Sequence, residues 1–262
     1  ARMKKINLTI KMDLSVKPHK SLKQWKTKQP PYPHMENWLP ARVLLTAPSG
    51  GSKGTIMSAL ALTFWRGCFS SIFLVSPTCD VDSNWEPLKL YCKNVLGQDD
   101  ESKWCFNTFD EAALSKILAE QKLHIQYQKK HQGPNALMHQ ALILIDDMGS
   151  DKTTMKHNTL LDKLYAQGRH IFVSTILSQQ RWMMASSTQR SQATLLMYGK
   201  PRSNLDWKAF AEENSALAGS TKKLDELLTI ATSEPYGFLT IDLLQKDPNK
   251  RFMKNFDTYL QI

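Results

Sequence analysis

Short aliphatic runs recur along this chain, and they constrain its fold more than any other feature of the sequence. The clearest run is Ala141 to Ile145, and comparable runs lie at Arg42 to Thr46, Ser71 to Ser76 and Ile171 to Ile176. Strands without polar alternation are typical of a parallel sheet that is buried on both faces. The runs therefore predict an α/β fold, with a mainly parallel sheet flanked by helices on both faces.

Helical stretches separate these strands, as an alternating α/β chain requires. Apolar residues at helical spacing predict helices over Thr55 to Trp65, Trp85 to Leu96, Asp110 to Lys130, Asp206 to Leu217 and Lys223 to Ile230. Another helix is predicted through Leu160, Leu161 and Leu164, and further short strands at Trp104 to Phe106, Thr194 to Met197 and Phe238 to Ile241. Asp110 is a favourable N-cap for the helix that it precedes.

The N-terminal segment is strongly basic, with many lysines against the single acid Asp13 before a proline-rich turn at Pro30 to Pro33. We predict a basic arm over residues 1–38 and one domain over residues 39–262. Alternating apolar residues fit one edge strand in the arm: Ile6, Leu8 and Ile10. The arm either contacts phosphates or is a solvated tail with one docked strand.

Composition limits the partners of the chain. Its 262 residues are 42% hydrophobic and carry a net charge of +10, which favours a polyanion such as DNA or RNA, or an acidic protein surface. No apolar run approaches the roughly 20 residues that span a bilayer, so no membrane partner is expected. The basic start has no apolar signal core, which indicates an intracellular protein. The 4 cysteines lack zinc-site spacing and are expected to be reduced thiols.

A small-residue turn after the first predicted strand has the position of a phosphate-binding loop. Backbone N–H groups at a helix N-terminus attract anions, small residues let the loop curl around phosphates, and a lysine reaches the outer ones. The candidate nucleotide-binding residues are Pro48, Ser49, Gly50, Gly51, Ser52, Lys53, Gly54 and Thr55. A glycine-containing turn that merely caps a helix is the structural alternative.

The loop departs from the pattern G-x-x-x-x-G-K-[ST] at three positions, which are Ala47, Ser52 and Gly54. If position 52 needs an unusual backbone angle, serine there costs roughly 1–3 kcal/mol. Gly54 offers no hydroxyl to Mg²⁺, so either Thr55 turns inward as a metal ligand or the metal relies on water and Asp146.

Two carboxylates, Asp146 and Asp147, directly follow the aliphatic run that ends at Ile145. Ligands of open α/β sheets bind at the carboxyl ends of the strands. Asp146 is therefore the candidate Mg²⁺ ligand, and Asp147 the candidate acid that orients or deprotonates an attacking water. The alternative is an Asp-rich turn without a ligand.

Polar residues downstream complete the candidate site. The predicted strand over Ile171 to Ile176 leads to Gln179, which would lie beside the two acids if the strands are neighbours and could sense the γ-phosphate. Arg190 is a candidate arginine finger for a neighbouring subunit, and Arg169 and Arg181 compete for that role.

These segments together resemble poxvirus-type genome-packaging ATPases of the FtsK–HerA P-loop class. The resemblance spans about Leu39 to Leu243 and is most specific in the segment from Gly168 to Gln179. It implies an ASCE/RecA-like P-loop NTPase fold and a homo-oligomeric ring that hydrolyses ATP with Mg²⁺ and drives double-stranded DNA into capsids. It also implies a capsid or portal-vertex partner, and a location in the host-cell cytoplasm or viral factory, or with the virion.

The resemblance assigns roles to four residues at matching positions. It gives Lys53 to the β- and γ-phosphates, Asp146 to Mg²⁺, Asp147 to catalysis and Gln179 to sensing; Arg190 matches a family arginine only loosely. Because the phosphate loop is atypical, a catalytically impaired nucleotide- or DNA-binding module of the same fold remains the alternative. A nucleotide or small-molecule kinase is a third class, which would need an arginine-rich lid. The stretch after Gln179 indicates instead a subunit or DNA contact loop, or an ordinary surface loop.

Overall fold

Nine strands form one sheet in the computed structural model, which describes residues 25–133, 135–148 and 158–261. The strands are β1 (Arg42–Thr46), β2 (Ser71–Val75), β3 (Cys105–Phe106), β4 (Ala141–Ile145), β5 (Val173–Gln179), β6 (Leu195–Gly199), β7 (Phe238–Asp242), β8 (Phe252–Lys254) and β9 (Thr258–Tyr259). The helices are α1 (Lys53–Ala59, continued by a π-helical turn over Leu60–Phe64), α2 (Glu86–Asn94), α3 (Glu111–His131), α4 (Thr159–Gln167), α5 (Ser187–Gln192), α6 (Asn204–Ala218) and α7 (Thr221–Ala231). Across these described ranges, no helix is long and apolar enough to cross a membrane.

The strand order is β3-β2-β4-β5-β1-β6-β7-β8-β9. From β3 to β6 all neighbours are parallel, whereas β7, β8 and β9 are joined by antiparallel pairing. The strand β5 lies between β1, which leads into the phosphate loop, and β4, which leads into the acidic pair. The carboxyl ends of these three strands meet at one edge of the sheet.

Both faces of the sheet are buried, as the aliphatic runs predict. Val43 of β1 packs with α1 and α2 on one face, whereas Leu44 packs with α4, α6 and α7 on the other. In β4, Leu144 packs on the same face of the sheet as Val43, and Ile145 packs on the same face as Leu44. Successive side chains point to opposite faces of a strand, so a strand with a helix layer on each side must be apolar throughout.

Most predicted elements are found within a few residues of their expected bounds, but the start of β5 is wrong. The strand was expected from Ile171, whereas Ile171 ends a 3-10 turn and Phe172 has a left-handed backbone with φ 55°. The strand therefore begins at Val173 and continues to Gln179. The N-cap prediction is confirmed: the Asp110 carboxylate accepts from the N–H groups of Ala112 and Ala113, both at 2.9 Å.

The stretch after Gln179, expected to be a subunit or DNA contact loop or an ordinary surface loop, contains the short helix α5. The Ser186 hydroxyl accepts from the Gln189 N–H at 3.0 Å, while the Gln189 side chain accepts from the Ser186 N–H at 3.0 Å. This reciprocal capping fixes two otherwise free donors and starts a helix in a Ser-rich sequence.

The described part of the N-terminal segment packs against the rest of the fold. The Gln29 amide donates to the Leu39 carbonyl at 2.7 Å, and the Trp38 indole donates to the Asp242 carboxylate at 3.0 Å. The Gln140 amide also donates to the Lys28 carbonyl at 2.7 Å. The predicted edge strand around Ile6, Leu8 and Ile10 lies outside the described residues.

Candidate functional site

Two residues of the loop between β1 and α1 have a left-handed backbone. Gly50 has φ 78°, and Ser52 has φ 56° and ψ 28°. Ser52 therefore adopts an unusual backbone angle, in a region that disfavours side chains. Lys53 begins α1 and is buried, so its ammonium group lies close to the loop that it follows.

Ala47, which stands where the common loop pattern has its first glycine, packs closely against two glycines. A Cβ atom added to Gly51 would lie 2.8 Å from the Ala47 Cβ, and one added to Gly199 would lie 2.9 Å from it. Gly199 ends β6, the neighbour of β1. The alanine is accommodated because both facing residues are glycines.

The acidic pair lies beside Lys53, as its position in the sequence predicts. The Lys53 Nζ is 3.9 Å from an Asp147 carboxylate oxygen. Ser178 of β5 joins the two acids: its hydroxyl donates to the Asp146 carboxylate and accepts from the Asp147 N–H at 3.2 Å. Asp147 also has a left-handed backbone with φ 41°. Such strain is concentrated at functional sites, because the surrounding structure must hold it in place.

Burial governs the titration of Asp146. Desolvation raises the pKa of this carboxyl above its usual value, and the nearby charge of Asp147 acts in the same direction. The hydrogen bond from Ser178 and the charge of Lys53 oppose the rise without cancelling it. A cation bound at Asp146 would stabilise the charged form that burial disfavours.

The amide that contacts the catalytic candidate belongs to Gln180 and not to Gln179. Gln180 Nε2 donates to both Asp147 carboxylate oxygens, at 3.1 and 2.9 Å. Gln179 is buried, and its amide contacts the Thr46 hydroxyl and the Trp182 carbonyl at 3.5 Å each. Alternation along β5 explains the difference, since Ser178 faces Asp146 and the next side chain must face the other way. Continuing the predicted strand in register would have identified Ser178.

A cavity of about 240 Å³ lies between the loop and the acids. Its walls include the loop from Ser49 to Gly54, both acids and three polar side chains from the segment after β2: Ser76, Thr78 and Asp82. Thr55 is exposed and does not line this cavity. Sequence reasoning missed the three polar residues because no motif marks the end of β2.

The cavity suits Mg²⁺ held together with phosphates. Among the described residues, no three His, Cys, Asp or Glu side chains form a metal cluster. Mg²⁺ in nucleotide sites is usually held by one or two carboxylates, water and the substrate phosphates. Asp146 would hold the ion, with the hydroxyls of Ser76 and Thr78 within the same cavity.

The candidate arginines differ in their surroundings. Arg190 is largely buried: its Nε donates to Glu213 at 2.9 Å, and its Nη1 to the Ala185 carbonyl at 2.6 Å. Arg169 and Arg181 are exposed. Arg202, which sequence reasoning did not single out, donates to the Ser49 carbonyl of the loop at 2.9 Å.

Comparison with known proteins gives the family and the fold. The family described as Poxvirus A32 protein matches residues 37–236. Among curated proteins, none matches the chain. The fold is shared with the genome packaging NTPase B204 of Sulfolobus turreted icosahedral virus 2 bound to AMP, at TM-score 0.52 and 18% identity, covering 79% of this chain and 98% of that one.

The same fold is seen in the DNA-packaging ATPase B204 of Sulfolobus turreted icosahedral virus, at TM-score 0.54 and 16% identity, covering 78% and 93%. B204 of the second virus in complex with ATP-γ-S matches at TM-score 0.50 and 18% identity, covering 78% and 93%. At these identities the similarity establishes the fold, so the α/β P-loop prediction is confirmed.

Proposed function

This chain belongs to the poxvirus A32 protein family, and from that premise we propose that it is an ATP-hydrolysing DNA translocase that packages the genome of a virus or virus-like element into capsids. One observation carries the proposal: Lys53, Asp146 and Asp147 line a single cavity at the carboxyl edge of the sheet. Two separate sequence segments thus supply a phosphate cation, a metal ligand and a water-orienting acid at one place.

Nucleotide phosphates would bind across the loop and the start of α1. The backbone N–H groups of Gly50, Ser52, Lys53 and Gly54 and the positive end of α1 would attract the phosphates, and Lys53 would bind the β- and γ-oxygens. The Gly51 N–H instead donates to the Pro48 carbonyl at 3.0 Å. The left-handed residues Gly50 and Ser52 shape this cradle. Thr55, which faces solvent, is a weaker candidate ligand than its position after the lysine suggested.

Asp147 would orient the attacking water and accept its proton. Its carboxylate is held from one side by the Gln180 amide, and its backbone is held by Ser178. Fixed orientation of this kind contributes to rate, because the water must approach in line with the leaving oxygen. We therefore assign to Gln180 the role of positioning the Asp147 carboxylate. The Gln179 amide instead contacts the Thr46 hydroxyl at the end of β1.

Mg²⁺, when bound, neutralises charge on the β- and γ-phosphate oxygens. Asp146 would hold the ion, and the Ser178 hydroxyl fixes the Asp146 carboxylate by donating to it. Asp82 adds a third carboxylate to the same cavity, beside Asp146 and Asp147.

A ring of identical subunits would complete the site with an arginine from the neighbour. Using Arg190 in this way would require breaking its ion pair with Glu213. Arg181 is exposed and follows Gln180 directly, at the edge of the sheet where the phosphates bind. Arg181 is therefore the better candidate for the trans arginine.

Double-stranded DNA is the proposed partner, with a capsid or portal-vertex protein at the packaging site. The net charge of +10 favours contacts with phosphates rather than with bases. Such binding weakens with salt, by about 10³–10⁵ between 50 and 200 mM for six to ten phosphate contacts. A DNA affinity that does not respond to salt would contradict this mode of binding.

A catalytically impaired nucleotide-binding module is the second candidate, and the strained Ser52 and the absent hydroxyl at Gly54 favour it. Melting curves with ATP and Mg²⁺, run beside a phosphate-release assay, separate the two. The packaging motor predicts both a rise in Tm and turnover, with turnover lost in Asp147→Asn and the rise in Tm retained. A rise in Tm without turnover in the native chain would support the impaired module.

A further inference from the structure

A second cavity, of about 470 Å³, lies on the other side of the phosphate loop. It shares Gly50 and Gly51 with the phosphate cavity, so the loop backbone separates the two. The phosphate cavity, at about 240 Å³, is smaller than the roughly 300–1,000 Å³ typical of small-molecule sites. The remainder of a nucleotide must therefore lie outside it.

The sheet order fixes the direction in which the nucleoside can leave. Asp146 and Asp147 follow β4, which lies two strands from β1 on the β5 side. These acids face the γ-phosphate, so the nucleoside extends away from them. The second cavity is on that opposite side, between the end of β6 and the turn that precedes β7.

The turn before β7 presents an aromatic ring at the wall of this cavity. Tyr236 is 69% exposed and has φ 64°, a conformation that bulky residues rarely adopt. The turn is braced on both sides of the ring. A Cβ atom on Gly237 would lie 2.4 Å from the Ala231 carbonyl oxygen, and Glu234 pairs with Lys254 at 2.7 Å. The fold thus holds a strained residue in place with its ring free.

We infer that this second cavity binds the nucleoside of the nucleotide, with a purine base stacked on Tyr236. Lys200 and Ser233 line the same cavity and supply a cation and a hydroxyl for the ribose and the α-phosphate. Every base presents a π-face to an aromatic ring, and the larger purine face gains more from stacking. This inference rests on the proposed function, because it extends the same nucleotide site.

Calorimetric titration of the full chain with Mg²⁺ tests the inference, using inorganic tripolyphosphate, ATP and UTP as probes. Tripolyphosphate measures binding to the phosphate cavity alone, whereas ATP measures binding to the phosphate cavity and the second cavity together. We expect ATP to bind more tightly than tripolyphosphate and UTP. We expect Tyr236→Gly to weaken ATP binding by about five- to a hundredfold and to leave tripolyphosphate binding unchanged. Glycine accepts the left-handed backbone, so this variant should fold.

Two variants serve as controls. Tyr236→Phe keeps the ring and should bind ATP like the native chain. Tyr127 of α3 is 63% exposed and lies outside the cavity, so Tyr127→Ala should also leave ATP binding unchanged.

The outcomes separate this inference from the proposed function. The inferred nucleoside site alone is wrong under three joint results: the native protein binds tripolyphosphate, the Lys53→Ala variant does not, and the Tyr236→Gly variant binds ATP as tightly as the native protein. The nucleoside site is likewise wrong if ATP binds no more tightly than tripolyphosphate. If neither ligand binds the native chain, both the nucleoside site and the proposed function are overturned.

Discussion

The Gln180 amide donates to both carboxylate oxygens of Asp147, at 3.1 and 2.9 Å. This contact joins the end of β5 to the residues that follow β4, and it fixes the plane of the carboxylate beside Lys53. A general base needs both a suitable pKa and a defined direction. The contact with Gln180 fixes the direction in which the Asp147 carboxylate points, because Asp147 alone is a short side chain on a strained backbone.

Replacing Gln180 should therefore slow ATP turnover without abolishing nucleotide binding. We expect Gln180→Ala to lower kcat about 10- to 100-fold, a range typical of residues that orient a catalytic group, with little change in KM. Steady-state phosphate release measures both constants. Gln167, exposed at the end of α4, gives a matched control in Gln167→Ala. An equal loss in both variants, or an unchanged kcat in Gln180→Ala, would contradict the positioning role.

The left-handed backbone of Ser52 predicts a stabilising substitution. Ser52→Gly relieves the cost of a side chain at φ 56°, partly offset by the greater freedom of glycine in the unfolded chain. We expect a net gain of about 1 kcal/mol, which raises Tm by roughly 2–4 °C in a domain of this size. Ser58 lies within α1 and has helical geometry, so Ser58→Gly should change Tm in the opposite direction. A fall in Tm for Ser52→Gly would show that the serine side chain stabilises the loop.

Ala47 and Gly199 should be coupled, because a Cβ on Gly199 would lie 2.9 Å from the Ala47 Cβ. Gly199→Ala should destabilise the fold by about 1–3 kcal/mol through overpacking. Adding Ala47→Gly removes the clashing atom and should recover most of the loss. Urea unfolding of the two single variants and the double variant gives the coupling energy. Additive effects would show that the two residues do not press on each other.

Burial of Asp146 predicts a pH-dependent gain in stability when its charge is removed. The pKa of Asp146 is raised in the folded protein. Protonated Asp146 therefore stabilises the folded state at low pH, and this stabilisation is lost as the pH rises through the folded pKa. Asp146→Asn should therefore raise Tm at pH 7, with the gain fading as pH approaches the ordinary aspartate pKa of about 4. The same variant should lose Mg²⁺-dependent turnover. A lower Tm at pH 7 would mean that the Ser178 and Lys53 contacts outweigh the cost of burial.

The sequence predicts the sheet and the acidic pair well because each rests on a local pattern. Ala141 to Ile145 is apolar throughout, so it must be a doubly covered strand, and Asp146 must follow at its carboxyl edge. The sequence indicated strain at Ser52 only on the condition that the loop has an unusual backbone angle there, and the structure supplies that angle, φ 56°. The resemblance to packaging ATPases then added the segment from Gly168 to Gln179 to the predicted site. The match to the poxvirus A32 protein family confirms that resemblance.

Other parts of the site depend on three-dimensional placement and could not be predicted from local patterns. The strand was predicted to end at Ile176, whereas β5 continues to Gln179, and this continued alternation turns the Gln179 side chain away from the acids and brings Gln180 to Asp147. The ion pair that holds Arg190 comes from Glu213, 23 residues along the chain. Tyr236 lines a cavity with the phosphate loop because β6 and β7 are antiparallel neighbours, so that the turn before β7 lies beside the end of β6.

The rate of ATP hydrolysis by the purified protein, measured with Mg²⁺ in the presence and in the absence of double-stranded DNA, tests whether this chain is a DNA-packaging motor. We predict that duplex DNA raises phosphate release, and that Lys53→Ala and Asp147→Asn abolish both the basal and the stimulated rates. The double variant Ser52→Gly, Gly54→Ser, which restores the common loop pattern, should hydrolyse ATP at least as fast as the native chain. If the native protein releases no phosphate while the double variant does, the claim that this chain is itself a DNA-packaging motor is contradicted.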